Sequence, residues 1–391
     1  MAARAVLRPS WADAPQVTLK LHHFFSSVSC GHDRFLAPWA HKVEAESGGR
    51  IRIDIFPSMQ LGGAPAQLFD QARDGIADIV WATPSQTPGR FPKIEVFELP
   101  FVAARRALVN SRAVEDFAAA NLKDEFREIH PICFSCRDPG VLHTGRPVQT
   151  VEDLRGLKLH VANRFAGEAL GALGAHGVPA PMPQVPMALA GHAVDGCFDP
   201  WDVVPGLRLH DLLKSHTEIG EQSLSVGVFV LAMNKPAYDR LPRELKAVID
   251  ANSGQVAAGM AGAMWDIEAV TVADMVRERG DHVGVLAPEE AARWRQSTDA
   301  VITGWTRQMK ERRIDGGKLI AGVRELLSKY ADEPAPQPPS PKPPPAQTLV
   351  AQPQQGPPAA AAASPNPPAV PAAPLAKPAP PPKLKELDIP L

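Results

Sequence analysis

Three side chains suited to binding a small polar ligand lie within one stretch of about fifty residues. They are His160, Arg164 and Asp199, and each stands at or next to the end of a short apolar segment. The apolar run 157–161 predicts a strand, and the apolar spacing over 165–173 predicts a helix. Because ligands of open α/β sheets bind at the carboxyl ends of strands, we expect these three side chains to lie near a pocket.

Three aromatic residues also end or follow predicted strands. Phe24 and Trp81 stand at strand ends, and Trp201 follows the segment that ends at Asp199. Two interpretations stay open: the rings converge on the pocket and favour an aromatic or bulky apolar ligand, or each ring belongs to the core. His23, beside Phe24, is a candidate hydrogen-bonding partner of the ligand.

The histidines do not predict a metal site. His22, His23 and His32 lack the i, i+4 helical spacing and a nearby third ligand, and adjacent strand residues point to opposite faces. The motifs of serine hydrolases, zinc proteases, P-loop proteins and dinucleotide-binding proteins do not occur in the sequence. We therefore expect a protein that is not an enzyme and uses neither a metal nor another cofactor.

The four cysteines are too few for a disulfide framework. Cys133 and Cys136 match the C-x-x-C pattern, but they lie in a strand-like run, where residues three apart point to opposite faces. We favour a pair of strand thiols, one facing the core and one the pocket, over a redox motif.

The N-terminal part has the pattern of a parallel sheet. Strands are predicted over 17–24, 50–56 and 77–83, and helices over 33–47 and 65–74. This is βαβαβ order, which indicates a parallel arrangement with helices on both faces.

The longest helical pattern begins at Pro242 and continues to about Arg279. A helix of more than thirty residues is unusual in one compact domain, so we expect it to lie across two domains. Further strands are predicted over 129–136, 141–143 and 226–234. Helices over 288–312 and 316–330 would then close the folded part.

The composition limits the partners of the protein. With 41 basic and 43 acidic residues the chain has a formal charge of −2, which gives no basic surface for nucleic acid. It contains no run of about 18 apolar residues, so no insertion into a membrane is predicted. Small soluble ligands are the expected partners.

The two ends differ from the rest of the chain. Residues 1–16 contain two arginines but too short an apolar region for a signal peptide, so we interpret them as a leader remnant or a disordered segment. Of the 42 prolines, 21 follow Tyr330. The segment 331–391 is therefore predicted to be a disordered, proline-rich tail.

Six short motifs occur in the same order as in a known family. The chain resembles the periplasmic solute-binding subunits of tripartite ATP-independent (TRAP) transporters, of the DctP type, over about residues 17–330. The motifs are SGGR from 47, PSMQLGG from 57, DGIAD from 74, LRGLK from 154, LGA from 173 and AVDG from 193. The resemblance implies two α/β lobes of the periplasmic-binding-protein type, an interlobe ligand cleft and a long helix spanning both lobes.

The sequence departs from this family where the ligand would bind. In the family, an arginine that binds the substrate carboxylate through two parallel hydrogen bonds usually stands at the place of His160, and a second arginine often stands at the place of Gly140. Arg164 is the substitute predicted to bind the anion, helped by the amides of a helix N-terminus. Asp199 replaces the family's asparagine, which favours a buried Arg–Asp pair over a ligand that brings its own donors. Arg90 and Arg137 are further cations near strand ends, although we expect solvated surface arginines there.

The resemblance implies a periplasmic receptor that captures a small organic acid and delivers it to the membrane permease subunits of a TRAP transporter. Lobe I is predicted over 17–136 with 230–265, and lobe II over 137–229 with 266–330. Two alternatives remain: a sensor that passes the signal to a partner, and an interaction protein that acts through its proline-rich tail.

Overall fold

A computed structural model describes residues 14–336 of the protein. Most of the predicted leader remnant and nearly all of the predicted tail lie outside these residues. The strands of the described part are β1 (Val17–His23), β2 (Ile51–Phe56), β3 (Ile79–Ala82), β4 (Ile129–Cys136), β5 (Val141–Thr144), β6 (Lys158–Val161), β7 (His176–Pro179), β8 (Gly196–Asp199), β9 (Ser215–Glu218), β10 (Val228–Asn234) and β11 (His282–Val285).

Thirteen α-helices accompany the strands within the same residues. They are α1 (Ala37–Glu46), α2 (Leu68–Arg73), α3 (Ala107–Asn121), α4 (Val151–Leu154), α5 (Arg164–Ala172), α6 (Val185–Ala190), α7 (Val203–Gly206), α8 (Leu209–Leu212), α9 (Lys235–Arg240), α10 (Arg243–Ala251), α11 (Gln255–Glu278), α12 (Pro288–Glu311) and α13 (Gly316–Lys329). Short 3-10 turns cover Pro65–Gln67, Pro84–Gln86, Ile94–Glu98 and Met182–Gln184, and a π-helical turn at Gly31–Leu36 leads into α1.

The first sheet, in lobe I, has the strand order β2-β1-β3-β10-β4. β1 pairs in parallel with β2 and β3, while β10 runs antiparallel to both β3 and β4. The βαβαβ order predicted for the N-terminal part is present. Cys133 and Cys136, on the edge strand β4, face different apolar cores on the two sides of this sheet. Both thiols are therefore core residues, and neither forms a disulfide.

The second sheet, in lobe II, has the order β11-β9-β5-β8-β6-β7. β6 and β8 are parallel neighbours, and β5 runs antiparallel to β8 and β9. Two crossing segments join the sheets: 137–140 leads from β4 to β5, and 219–227 leads from β9 to β10. The crossings are hydrogen-bonded to each other, from Arg137 N to Gly227 O (2.8 Å) and from Gly140 N to Ser225 O (3.1 Å).

The long helix predicted from Pro242 is interrupted, which corrects the prediction of one continuous helix. α10 ends at Ala251 and α11 begins at Gln255, because Gly254 has φ of 58° and ψ of −133°, outside the helical region. The break is held by bonds from Gly254 N to Ile132 O (2.7 Å) and from Trp39 Nε1 to Asn252 O (2.8 Å).

α11 nevertheless spans both lobes. Its N-terminal half packs into the lobe I core through Trp265, and its C-terminal half packs into the lobe II core through Val272 and Val276. The stretch Arg243–Glu278 has a length and mean hydropathy compatible with a membrane span, but half of its most apolar window is buried in the protein. Its apolar residues therefore serve packing against two cores.

The C-terminal helices do not all pack in lobe II, where the predicted lobe boundary places them. Trp294 of α12 lies in a lobe II core, whereas Trp305 of the same helix and Val323 of α13 lie in a lobe I core. We therefore propose that residues 301–330 belong to lobe I rather than lobe II. A second long helix, α12, then connects the two lobes.

Candidate functional site

The carboxyl ends of β1 and β3 in lobe I and of β6 and β8 in lobe II meet beside the crossing segments. Asp202, just after β8, bonds to Arg137 in the first crossing, and Arg137 lies over Phe25, just after β1. Asn163, after β6, donates from Nδ2 to Ser225 Oγ in the second crossing (3.0 Å). This junction is the candidate ligand site, as expected from the positions of the strand ends.

His160 and Asp199 form a buried pair in lobe II. Nδ1 of His160 lies 2.7 Å from Oδ2 of Asp199, and Nε2 donates to the carbonyl of Ala180 (2.9 Å). The side chains are 2% and 0% exposed, so the pair is closed to solvent. Burial opposes the charged imidazole, but the hydrogen bond and charge of Asp199 raise the pKa of His160.

This pair corrects the interpretation of Asp199. The sequence favoured a buried Arg–Asp pair, but the partner of Asp199 is His160, because β6 and β8 are neighbouring parallel strands. Both ring nitrogens of His160 are already engaged within the protein. The two residues therefore support the shape of the site rather than offering a free cation.

Arg164 begins α5 and forms ion pairs with residues other than Asp199. Its guanidinium lies 3.4 Å from the Glu95 carboxylate of lobe I and 3.6 Å from that of Glu168, and over the ring of Phe165 (4.3 Å). The side chain is 39% exposed. Two carboxylates thus already face the residue predicted to bind the anion, and that role stays a prediction.

The structure brings Phe24 and Trp81 into one aromatic cluster in lobe I. Phe24 stacks on Phe25, with 4.4 Å between ring centroids, and Phe25 lies 5.1 Å from Trp81. Phe229 of β10 and Trp265 of α11 complete the cluster, at 4.6 Å and 6.0 Å from Trp81. Phe24 and Phe25 are half-buried, whereas the other three rings are buried.

Trp201 does not join this cluster. Its ring lies 5.3 Å from the ring of His143 and 5.2 Å from that of His216, and its Nε1 donates to Glu218 (3.1 Å). It belongs to a core of lobe II, because the chain turns after β8 and directs the ring away from lobe I. Only its backbone amide reaches the crossing, where it donates to Asp138 Oδ2 (3.1 Å).

His23 is buried at the end of β1. Its Nε2 lies 3.0 Å from Nδ1 of His32, and its Nδ1 is buried without a partner in the described residues. Burial, together with the charges of His32 and His22, lowers the pKa of His23 to about 3. The ring is therefore neutral at physiological pH. His22 lies on the other side of β1 and bonds to Gln71 (2.7 Å).

Arg137 differs most from its expected position, because it is not a solvated surface arginine. Its side chain is 11% exposed and forms a two-point contact with the carboxylate of Asp202, including Nε to Oδ1 at 2.9 Å. The guanidinium lies 5.7 Å from the ring centre of Phe25 and 5.1 Å from that of Trp265. Burial opposes its charge, but Asp202 and Asp138 raise the pKa of Arg137.

The position of the family's second arginine is filled by an aromatic ring. A Cβ on Gly140 would stand 2.4 Å from two carbon atoms of the Phe198 ring. No side chain fits at Gly140 while Phe198 keeps this place. The two positions at which the resemblance predicts arginines thus lie in a closed His–Asp pair and beside the Phe198 ring.

Phe25, Phe229, Trp265 and Arg137 were not among the sequence-predicted site residues. Arg137 directly follows the predicted strand 129–136, and its position at a strand end was the available signal. Trp265 lay within a helical pattern of apolar residues, where a core position was the natural expectation.

The side chains gathered at this junction are suited to binding a ligand. No group of three His, Cys, Asp or Glu side chains in residues 14–336 is arranged to hold a metal ion. Burial raises the pKa of the Cys133 and Cys136 thiols well above the usual value, so neither is poised as a nucleophile. An arginine beside half-buried aromatic rings can bind a carboxylate attached to an apolar body.

Comparison with known proteins points in the same direction. The family model of the bacterial extracellular solute-binding proteins, family 7 (DctP), matches residues 22–308. The protein is 25% identical over 263 residues to the outer membrane transporter protein TsaT of Comamonas testosteroni, which covers 66% of this chain and 76% of that protein.

Two solved structures are more similar. One is a TRAP solute-binding protein from Rhodoferax ferrireducens in complex with copurified benzoate, with 38% identity, a TM-score of 0.77 and coverage of 80% of this chain and 98% of that one. The other is a marine metagenome TRAP solute-binding protein specific for aromatic acid ligands, in complex with metahydroxyphenylacetate. It has 36% identity, a TM-score of 0.77 and coverage of 80% and 99%.

Proposed function

The chain belongs to the DctP family of bacterial extracellular solute-binding proteins, and from this premise we propose that it is a periplasmic receptor for a small aromatic monocarboxylate. Proteins of this kind bind small organic acids and work with membrane components. We propose that this one delivers its ligand to the permease subunits of a TRAP transporter. The ligand would bind between the lobes without being chemically changed.

The aromatic cluster of lobe I is the observation that carries the ligand class. Phe24 and Phe25 stack on each other and are only half-buried, so part of their surface stays accessible beside the crossing segments. Three buried rings support them from behind. A flat apolar ligand gains burial against such a surface, whereas a sugar acid would lose hydrogen bonds of its hydroxyl groups to water.

The relatives support the same class. The Rhodoferax receptor, 38% identical, was solved with benzoate, and the metagenome receptor with metahydroxyphenylacetate. Closure of the lobes would remove water from the site and strengthen the contact between a cation and the carboxylate.

Calorimetric titration of the purified full chain with benzoate, metahydroxyphenylacetate and D-glucuronate tests the proposal. We expect the two aromatic acids to bind, with at least about tenfold weaker binding of glucuronate. Tight binding of glucuronate with no binding of either aromatic acid would contradict the proposed ligand class. Replacing Phe24 by Ala should weaken benzoate binding, whereas replacing the exposed Val28 by Ala should not.

A further inference from the structure

On the premise that the ligand is an aromatic carboxylate, we propose that Arg137 binds the carboxylate, through the edge of its guanidinium that Asp202 leaves free. Arg137 lies in the first crossing segment, between the lobes. It would hold an internal carboxylate on one edge and the ligand on the other.

The geometry of the guanidinium supports this assignment. Asp202 is bound to Nε and Nη2, which form one edge of the group. Nη1 donates to no residue within 14–336. It is not fully buried, so it reaches solvent. The edge formed by Nη1 and Nη2 can therefore donate two parallel hydrogen bonds to a second carboxylate.

The surroundings favour an aromatic acid on this edge. The guanidinium lies over Phe25 and Trp265, and Phe25 stacks on Phe24. A ligand whose carboxylate meets Arg137 would thus place its ring beside the accessible surface of the phenylalanine pair. Asp202, which fixes the guanidinium, acts as a positioning residue.

Asp138 provides an independent sign of a ligand here. The residue is 2% exposed, its Oδ2 accepts from the amide of Trp201, and its Oδ1 is buried without a partner in the described part of the chain. Burial and the charge of Asp202 raise the pKa of Asp138 well above its usual value. A carboxyl group with a raised pKa repels a nearby carboxylate less than an ordinary carboxylate does, because its charged form is disfavoured.

Arg164 is the competing candidate. Arg164 is more exposed than Arg137. It already faces the carboxylate of Glu168 in its own lobe and that of Glu95 in the opposite lobe. A ligand carboxylate there would have to compete with both, in a more solvated place where the contact gains less free energy.

Benzamide has nearly the same shape as benzoate but no charge. Comparing the binding of the two compounds therefore distinguishes recognition of the carboxylate by Arg137 from a purely structural role of Arg137. We expect wild-type protein to bind benzoate at least about tenfold more tightly, and Arg137→Lys to lose most of that preference, because lysine has no second fork edge. Arg90→Lys is the matched control, since Arg90 also lies over two rings and pairs with a carboxylate, Asp70. It should keep the preference.

A purely structural role of Arg137 would weaken both ligands in parallel and leave their ratio unchanged. If Arg137→Lys fails to fold, the double variant Arg137→Gln with Asp202→Asn keeps an uncharged hydrogen-bonded pair of similar shape, and it too should lose the preference. A retained preference in these variants, or its loss in Arg164→Gln, would overturn the assignment. Wild-type protein that binds neither compound nor any other aromatic acid would instead contradict the proposed function.

Discussion

The carboxylate of Asp199 lies 2.7 Å from Nδ1 of His160, in a pair that is closed to solvent on both sides. Ala180 O can only accept a hydrogen bond, so Nε2 of the imidazole carries a proton, and a second proton is shared between Nδ1 and Asp199. The resemblance to the family implies that this imidazole and carboxylate stand where an arginine and an asparagine are usual. The two buried residues depend on each other for hydrogen bonding, which gives the first prediction.

Asp199→Ala should lower the free energy of unfolding by about 3–5 kcal/mol, because the buried imidazole of His160 would lose the carboxylate to which its Nδ1 is hydrogen-bonded. Asp199→Asn should cost much less, since the amide can donate to the unprotonated Nδ1 of a neutral His160. Chemical denaturation of both variants at neutral pH checks this. Equal destabilisation by Ala and Asn would contradict the paired role.

Gly140→Ala should destabilise the protein by about 1–3 kcal/mol, because the new methyl group would meet the Phe198 ring. The double variant with Phe198→Leu should cost less than the sum of the two single changes, since the smaller side chain makes room. Urea titrations of the two single variants and the double variant measure the coupling. Strict additivity would show that the added methyl group and the Phe198 ring do not interact.

The buried carboxyl group of Glu98 should make stability fall with rising pH. Burial, with a smaller contribution from the charge of Glu95, raises the pKa of Glu98 to about 8. The folded protein therefore binds this proton more tightly than the unfolded chain does between about pH 4.5 and 8, and stability decreases across that window by up to about 1.4 kcal/mol per pH unit.

Glu98→Gln should flatten this decrease, whereas Glu311→Gln, at an exposed position of α12, should leave it unchanged. Melting temperatures from pH 5 to 8.5 provide the measurement. The same slope in wild type and Glu98→Gln would assign the decrease to other groups.

Gly254→Ala should lower stability by about 1–3 kcal/mol, because the backbone at φ 58° and ψ −133° excludes residues with a Cβ. Space is not the reason, since the nearest atom to the added Cβ would be 3.6 Å away. Gly171→Ala, within α5 and with nothing near the new methyl group, should instead raise stability. Thermal denaturation of both variants tests the contrast.

Arg164→Gln should retain ligand-induced thermal stabilisation by benzoate, because the anion is assigned to Arg137. The apo melting temperature should change little, since Arg164 is partly exposed and its ion pairs are solvated. Complete loss of stabilisation in this variant would indicate that Arg164 binds the anion, as the sequence predicted.

Local patterns in the sequence were sufficient for most of the fold. The strand 129–136 was predicted with the bounds of β4, and α5 and α12 were predicted to within a residue or two at their ends. These elements form where apolar periodicity and flanking polar residues agree. The short strands β9 and β11 were not predicted. The break between α10 and α11 was also missed, because the apolar pattern continues through Gly254 although its backbone leaves the helix.

The family and the altered chemistry of the site follow from the sequence alone, because ordered motifs and single substitutions at His160, Gly140 and Asp199 can be read directly. The pairing of charges cannot be read in this way. Arg137 meets Asp202 and Arg164 meets Glu95 across separations of 65 and 69 residues, so only the packing of the lobes determines which guanidinium keeps a free edge. Similarly, Phe24 and Trp81 converge while Trp201 turns to another core, since ring direction depends on the sheet face and the chain path rather than on proximity to a strand end.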